Sequence, residues 1–142
     1  MAWIKPIFDR TDNDVGYATY LFDKGYSNLT VAEKADWDSD LKGSLNFSDL
    51  NRIEGNMAIL ATDLSVTITT KTDWDVSDIL STTSDSTGDV QRITANLQTL
   101  CNAVTLPEGS PSVPIPPLND IYKINDIESL INIINQTLPT PN

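Results

Sequence analysis

The sequence predicts a mainly α-helical protein made of small helical units, with an extended N-terminal arm and a proline-rich tether to a C-terminal helix. Three observations lead there. Apolar residues recur at three- and four-residue spacing in several segments, each preceded by a capping residue. Two of those segments, residues 48–60 (SDLNRIEGNMAIL) and 88–100 (GDVQRITANLQTL), are near copies. Between the helical patterns lie clusters of Ser, Thr, Asp and Pro, and only residues 66–70 (VTITT) alternate as a strand does.

Residues 1–10 (MAWIKPIFDR) read as an extended arm, because Pro6 disfavours helix at Lys5. Its bulky residues Trp3, Ile4, Ile7 and Phe8 need a cover, supplied by the domain itself or by a partner. The first helix takes Thr11 or Asp12 as its cap, ends at Gly25, and carries an apolar stripe of Val15, Ala18, Leu21 and Phe22. A capping box of Thr30 and Glu33 opens the second, which offers Val31, Ala35, Trp37 and Leu41 for burial and stops at Gly43. The third is capped by Asn46 or Ser48, and its seam is Leu50, Ile53, Met57, Leu60 and Leu64. Residues 66–70 are a strand or an extended linker, and the Ser/Thr/Asp-rich stretch after them is loop with at most one helical turn. A fourth helix spans residues 87–104 with the seam Val90, Ile93, Leu97, Leu100 and Val104. The prolines of LPEGSPSVPIPPL cannot donate to a helix or a ladder, so this stretch is a polyproline-like linker. Asn125 or Asp126 caps the last helix, whose seam of Ile127, Leu130, Ile134 and Leu138 is widened by Ile131 and Ile133. The chain thus divides into an arm (1–10), a first helical unit (11–65), a second (66–104), a linker (105–118), and a C-terminal helix with its tail (119–142).

Aligning Asp49 with Asp89 places Arg52 on Arg92, Ile53 on Ile93, Asn56 on Asn96 and Leu60 on Leu100. An acid in the first turn is favoured by the helix dipole, by roughly 0.3–1 kcal/mol. Packing accounts for the apolar identities but not for the shared arginine and asparagine, which points to duplication of a helical unit. Asn56 and Asn96 sit at the seam edge, where an amide can bond a neighbouring backbone and fix register. Arg52 and Arg92 either pair with an acid of the other copy or lie in solvent. Upstream, ADWDSD and TDWDVSD echo one another. The weaker echoes at Asp126 and Asp14 are what any capped amphipathic helix shows.

Twenty acids against nine bases give a net charge of -11, which repels nucleic acid and anionic membrane and suits a basic partner or plain solubility. The chain has no histidine, so neither a Ser-His-Asp nor a Cys-His arrangement can form. Its single cysteine, Cys101, excludes an intrachain disulfide and a cysteine-cluster zinc site, and reads as a small buried residue. Asp36, Asp38 and Asp40 alternate like the start of a calcium loop but lack its glycine and distal glutamate. No catalytic, cofactor-binding or metal-ligating residue is assigned, and the chain is read as no enzyme. No stretch reaches the ~20 apolar residues of a membrane span, and the N-terminus lacks a signal-peptide pattern.

The segments MAWIKPIFDRTDNDV, LTVAEKADWDSDLKGSLNFSDLNRIEGNMAIL and KTDWDVSDI resemble small tail- and baseplate-associated proteins of phages and prophages of Gram-positive bacteria, and the attachment regions of some tail-fibre proteins. The resemblance covers residues 1–100, with residues 45–56 its most specific part. It implies a virion structural component, made in the host cytoplasm, that links parts of the tail in several symmetric copies and brings no catalytic residues. The expected partners are other tail or baseplate proteins. The expected docking segments are the arm (Trp3, Ile4, Ile7, Phe8) and the tethered helix (Ile127, Leu130, Ile134). The alternative is a small acidic regulator that binds a basic partner or mimics the charge of DNA. A mimic needs a regular surface array of acids, an adaptor needs apolar surface for a partner, and a carboxylate enzyme needs two acids converging in a pocket.

Overall fold

The computed structural model describes residues 2–78 and 88–142. Five α-helices account for its regular structure: α1 (Asp12–Lys24), α2 (Val31–Asp38), α3 (Phe47–Asp63), α4 (Gly88–Asn102) and α5 (Ile121–Thr137), with a 3-10 turn at Tyr26–Asn28 between the first two. Among the described residues there is no strand; the alternating stretch after α3 is extended but unladdered.

The seams of α3, α4 and α5 meet in one core. Ile53, Met57 and Leu60 face Ile93, Leu97 and Leu100, and Ile127, Leu130, Ile131 and Ile134 complete it. The mainly α fold is as expected, but the role of α5 is not. Ile127, Leu130 and Ile134 are fully buried in their own chain, so they offer a neighbour nothing. At roughly 1.5–3 kcal/mol per buried aliphatic side chain, this seam is too apolar to remain on a free tether. The proline-rich stretch carries the chain from the end of α4 back to the start of α5. Leu118 is buried there, and Leu106 and Val113 pack on the core. The helices of the two helical units pack seam against seam, and α3 shares its core with α4 and α5.

The three core helices run in the same direction, so the chain must return between them. Two extended segments are laid along the bundle. Residues 66–74 climb back beside α3 and α4, and residues 3–10 lie antiparallel to α3 and α5, bonded near Asn56 at one end and near Asn125 at the other.

Residues 11–45, between the arm and α3, form a projecting head with its own small core of Ala18, Leu21, Leu29 and Leu41, covered by Trp37. Thr11 with Asp14 and Thr30 with Glu33 make the capping boxes that start its two helices, and Gly25, at φ 80°, ends α1. One alanine and three leucines cannot offset ~1–2 kcal/mol of backbone entropy for every ordered residue. The head therefore depends on its junction with the bundle. There Tyr122 Oη donates to Asp12, and Ser48 Oγ to Asp40. Within the head, Gly43 passes so close to α1 that a Cβ would lie 2.0 Å from the Asp14 carbonyl oxygen.

Two further expectations need correction. Val31 is 88% exposed and Ala35 is also exposed, because α1 covers only the Trp37 side of an eight-residue helix that buries nothing fully. The cap of α5 is Asp120, which accepts from the backbone N–H groups of Tyr122 and Lys123, and not Asn125 or Asp126.

Candidate functional site

The duplicated helix opening builds two matching clasps, each holding an extended segment by its main chain. In the first, Asn56 of α3 accepts from Ile4 N and donates to Ile4 O. Glu128 of α5 accepts from Ile7 N, and Asn125 of α5 accepts from Arg10 N and donates to Arg10 O. In the second, Asn96 of α4 donates to Thr69 O, Glu54 of α3 accepts from Lys71 N, and Asn51 of α3 accepts from Trp74 N and donates to Trp74 O. Ile7 thus corresponds to Lys71, Arg10 to Trp74, Glu128 to Glu54, and Asn125 to Asn51. The asparagine and the glutamate stand three residues apart on both helices, so their side chains reach the segment from adjacent turns of one face.

Each glutamate is fully buried and saturated. Glu128 also accepts from Arg10 Nη2 (2.8 Å), Arg52 Nε (2.6 Å) and Arg52 Nη2 (2.8 Å). Glu54 accepts from Trp74 Nε1 (2.6 Å), Arg92 Nε (2.9 Å) and Arg92 Nη2 (2.9 Å). The indole N–H of Trp74 therefore stands where the guanidinium of Arg10 stands in the first clasp. Asp49 completes the first network by bonding both arginines, and Asp89 bonds Arg92 in the second. Burial opposes the charge on Arg52, but the hydrogen bonds and charges of Glu128 and Asp49 more than offset it and hold its pKa above the usual arginine value. The hydrogen bond to Glu54 does the same for Arg92. Among the described residues, no buried side-chain polar atom lacks a hydrogen-bond partner.

The third pair of helices lacks this device. The positions of α4 that match Asn51 and Glu54 are Gln91 and Thr94, and Thr94 Oγ1 turns back onto the Val90 carbonyl. On α5 the place of Arg52 is taken by Asp126. Burial, then the nearby Asp120, push its carboxyl above the usual range.

The sequence-derived residues therefore sort as follows. Arg52, Asn56, Arg92 and Asn96 all lie in the clasps, with Arg92 paired across copies to Glu54. The arm is covered by its own bundle: Trp3 packs on the core, Pro6 is buried and Ile7 is half-buried, while Ile4 (55% exposed) and Phe8 (42% exposed) point outward. Cys101 is buried, which pushes its thiol up. Sequence reasoning missed Arg10, Asn51, Glu54, Asn125 and Glu128. A legible signal was the repeated asparagine–glutamate spacing of NRIE and NDIE. Another was the likeness of FDRTDND to TDWDVSD, in which Thr11 N bonds Asp14 just as Asp75 N bonds Asp78.

The surface of the head is the second candidate site. Tyr17 and Tyr20 stack on α1, and Phe22 and Tyr26 pack edgewise on Trp37. Tyr20, Phe22, Tyr26 and Val31 remain exposed among the acids of α1 and α2. Tyr17 Oη donates to Asp36, which pushes the phenol up to about 12, and Tyr26 Oη donates to Asp38, which raises that phenol also. Lys24 bonds Glu33 at 2.7 Å, and with the Thr30 backbone N–H it draws that carboxyl down to about 2. Among the described residues, no group of three potential ligands could hold a metal ion, and no helix is long and apolar enough to cross a membrane.

No protein-family model matches the chain, and neither a curated protein nor a solved structure matches it.

Proposed function

We propose that this protein is a structural component of a phage virion, a tail or baseplate adaptor that works by docking to other subunits and sits in several neighbouring copies. The observation that carries this reading is the projecting head. Residues 11–45 stand off a three-helix body and present Tyr20, Phe22, Tyr26 and Val31 to solvent, while among the described residues every buried side-chain polar atom has a partner within the chain. Exposed aromatics are enriched among the anchors of protein interfaces. The likeness of residues 1–100 to tail-associated proteins agrees with it. Docking is placed on the head rather than on α5, because Ile127, Leu130 and Ile134 are fully buried in their own core.

Mass spectrometry of purified particles from the strain that encodes the chain tests this. Stoichiometric incorporation is expected, with loss of incorporation in the Tyr20→Ala/Phe22→Ala/Val31→Asp variant. Absence of the protein from particles removes the adaptor reading.

A further inference from the structure

We propose that the face of α1 around Gly16 takes an arginine side chain from a basic segment of a partner protein, held by Tyr17, Tyr20 and Asp36. This occupant deepens the docking reading of the head and rests on it, since that reading supplies the partner. Gly16 has no use within its own chain. It is exposed in the interior of α1, where glycine is less favourable than alanine. Its φ is not positive, and a Cβ built on it meets nothing within 4 Å outside its own helical turn. Gly25 and Gly109 take a positive φ and Gly43 meets backbone, so each of those needs to be glycine. At Gly16 the bare backbone leaves a notch. Tyr17 and Tyr20 stand beside it, 38% and 50% exposed, with their rings stacked at 6.3 Å. A helical side chain covers the turn N-terminal to it, so Tyr20 rims the notch.

Charge selects a cation for this face. Tyr17 Oη donates to Asp36 Oδ2, while Oδ1 of the same exposed carboxylate accepts no bond and meets no cation among the described residues. Residues 11–45 carry seven acids against three lysines. Two of the lysines are already paired, Lys24 to Glu33 and Lys42 to Asp9. The Tyr20 ring shows that it accepts a cation, because Lys24 Nζ lies 5.6 Å from its centre. A guanidinium matches a tyrosine face beside an unmatched carboxylate: it stacks on the ring and donates in its own plane to the acid. Its aliphatic stem covers the bare helix at Gly16. A second copy of this chain does not suit the face. It brings the same net charge of -11, and its three arginines, Arg10, Arg52 and Arg92, are all held in the clasps.

NMR titration of the isotope-labelled full chain tests this, with an end-blocked Gly-Arg-Gly-Arg-Gly peptide and its lysine counterpart as probes. At ~0.1 M salt the Debye length is about 10 Å, so diffuse attraction to the acidic surface is screened. Amide shifts should centre on residues 13–24 and 33–36, with the arginine peptide bound several-fold more tightly than the lysine one. Asp36→Asn and Tyr20→Ala should each weaken binding several-fold. Glu108→Gln, which removes an exposed acid from the proline-rich stretch, should leave it unchanged. Gly16→Ala gives a readout that a merely structural role would not move: the melting temperature should rise, as helix propensity requires, while binding weakens several-fold. Absence of binding, shifts spread over the whole acidic surface, or equal losses in Asp36→Asn and Glu108→Gln overturn the proposal. So does a Gly16→Ala chain that binds as wild type does. A virion protein whose head docks without an arginine would fail here and still appear in particles, so the two readings fall separately.

Discussion

Replacing Glu128 with Gln should be among the most damaging single changes in this chain. Glu128 is fully buried and accepts four hydrogen bonds, from Ile7 N, Arg10 Nη2, Arg52 Nε and Arg52 Nη2. Its charge and that of Asp49 balance the two guanidiniums, whose side chains are 2% and 8% exposed. Glutamine keeps the volume but removes one negative charge and turns a donor group toward an arginine. An unbalanced buried cation of this kind costs about 3–5 kcal/mol, a large part of the ~5–15 kcal/mol that holds a domain together. At about 4 °C per kcal/mol, intermediate between small and medium domains, the melting temperature should fall by roughly 12–20 °C. Urea denaturation followed by far-ultraviolet circular dichroism measures it, with unchanged slope showing a pure stability effect. Glu54→Gln should cost less, because its partner Arg92 is about a quarter exposed and water can compensate. A Glu128→Gln loss under about 0.5 kcal/mol, the range of an ordinary surface change, would refute the charge-balance reasoning.

Other expectations follow from the same geometry. Gly43→Ala should loosen the head, since its Cβ would meet backbone rather than a movable side chain; limited proteolysis should then cut within residues 11–45 while the bundle survives. Asn56→Ala should lower stability by about 1–3 kcal/mol, two hydrogen bonds at about 0.5–1.5 each, and Asn96→Ala by half as much, having one bond to lose; urea midpoints give the order. In NMR titration the Glu33 carboxyl should show a midpoint near 2, and Lys24→Met should return it toward 4.5. A lowered carboxylate favours the fold above the unfolded value, so this contribution is lost as pH falls from about 4.5 through 2. The raised phenol of Tyr17 acts with opposite sign: its contribution is present below pH 10 and lost as pH rises through about 12, and ultraviolet titration should show Asp36→Asn reducing the shift.

The sequence by itself determined the helices and their apolar faces, because caps and three-four spacing are local physics. Thr11, Thr30 and the seams of α3, α4 and α5 all act within a turn or two of themselves. It also marked the repeat, and with it Arg52, Asn56, Arg92 and Asn96. What those residues hold was decided only by tertiary structure. Glu128 meets Arg52 and Ile7 across most of the chain's length, and nothing local ties the NDIE of α5 to an arm at the opposite end. The amphipathic face of α5 reads the same whether it covers a neighbour or its own core. Three parallel helices with an open seam settle it, because burying Ile127, Leu130, Ile131 and Ile134 inside one chain needs no partner and wastes no apolar surface.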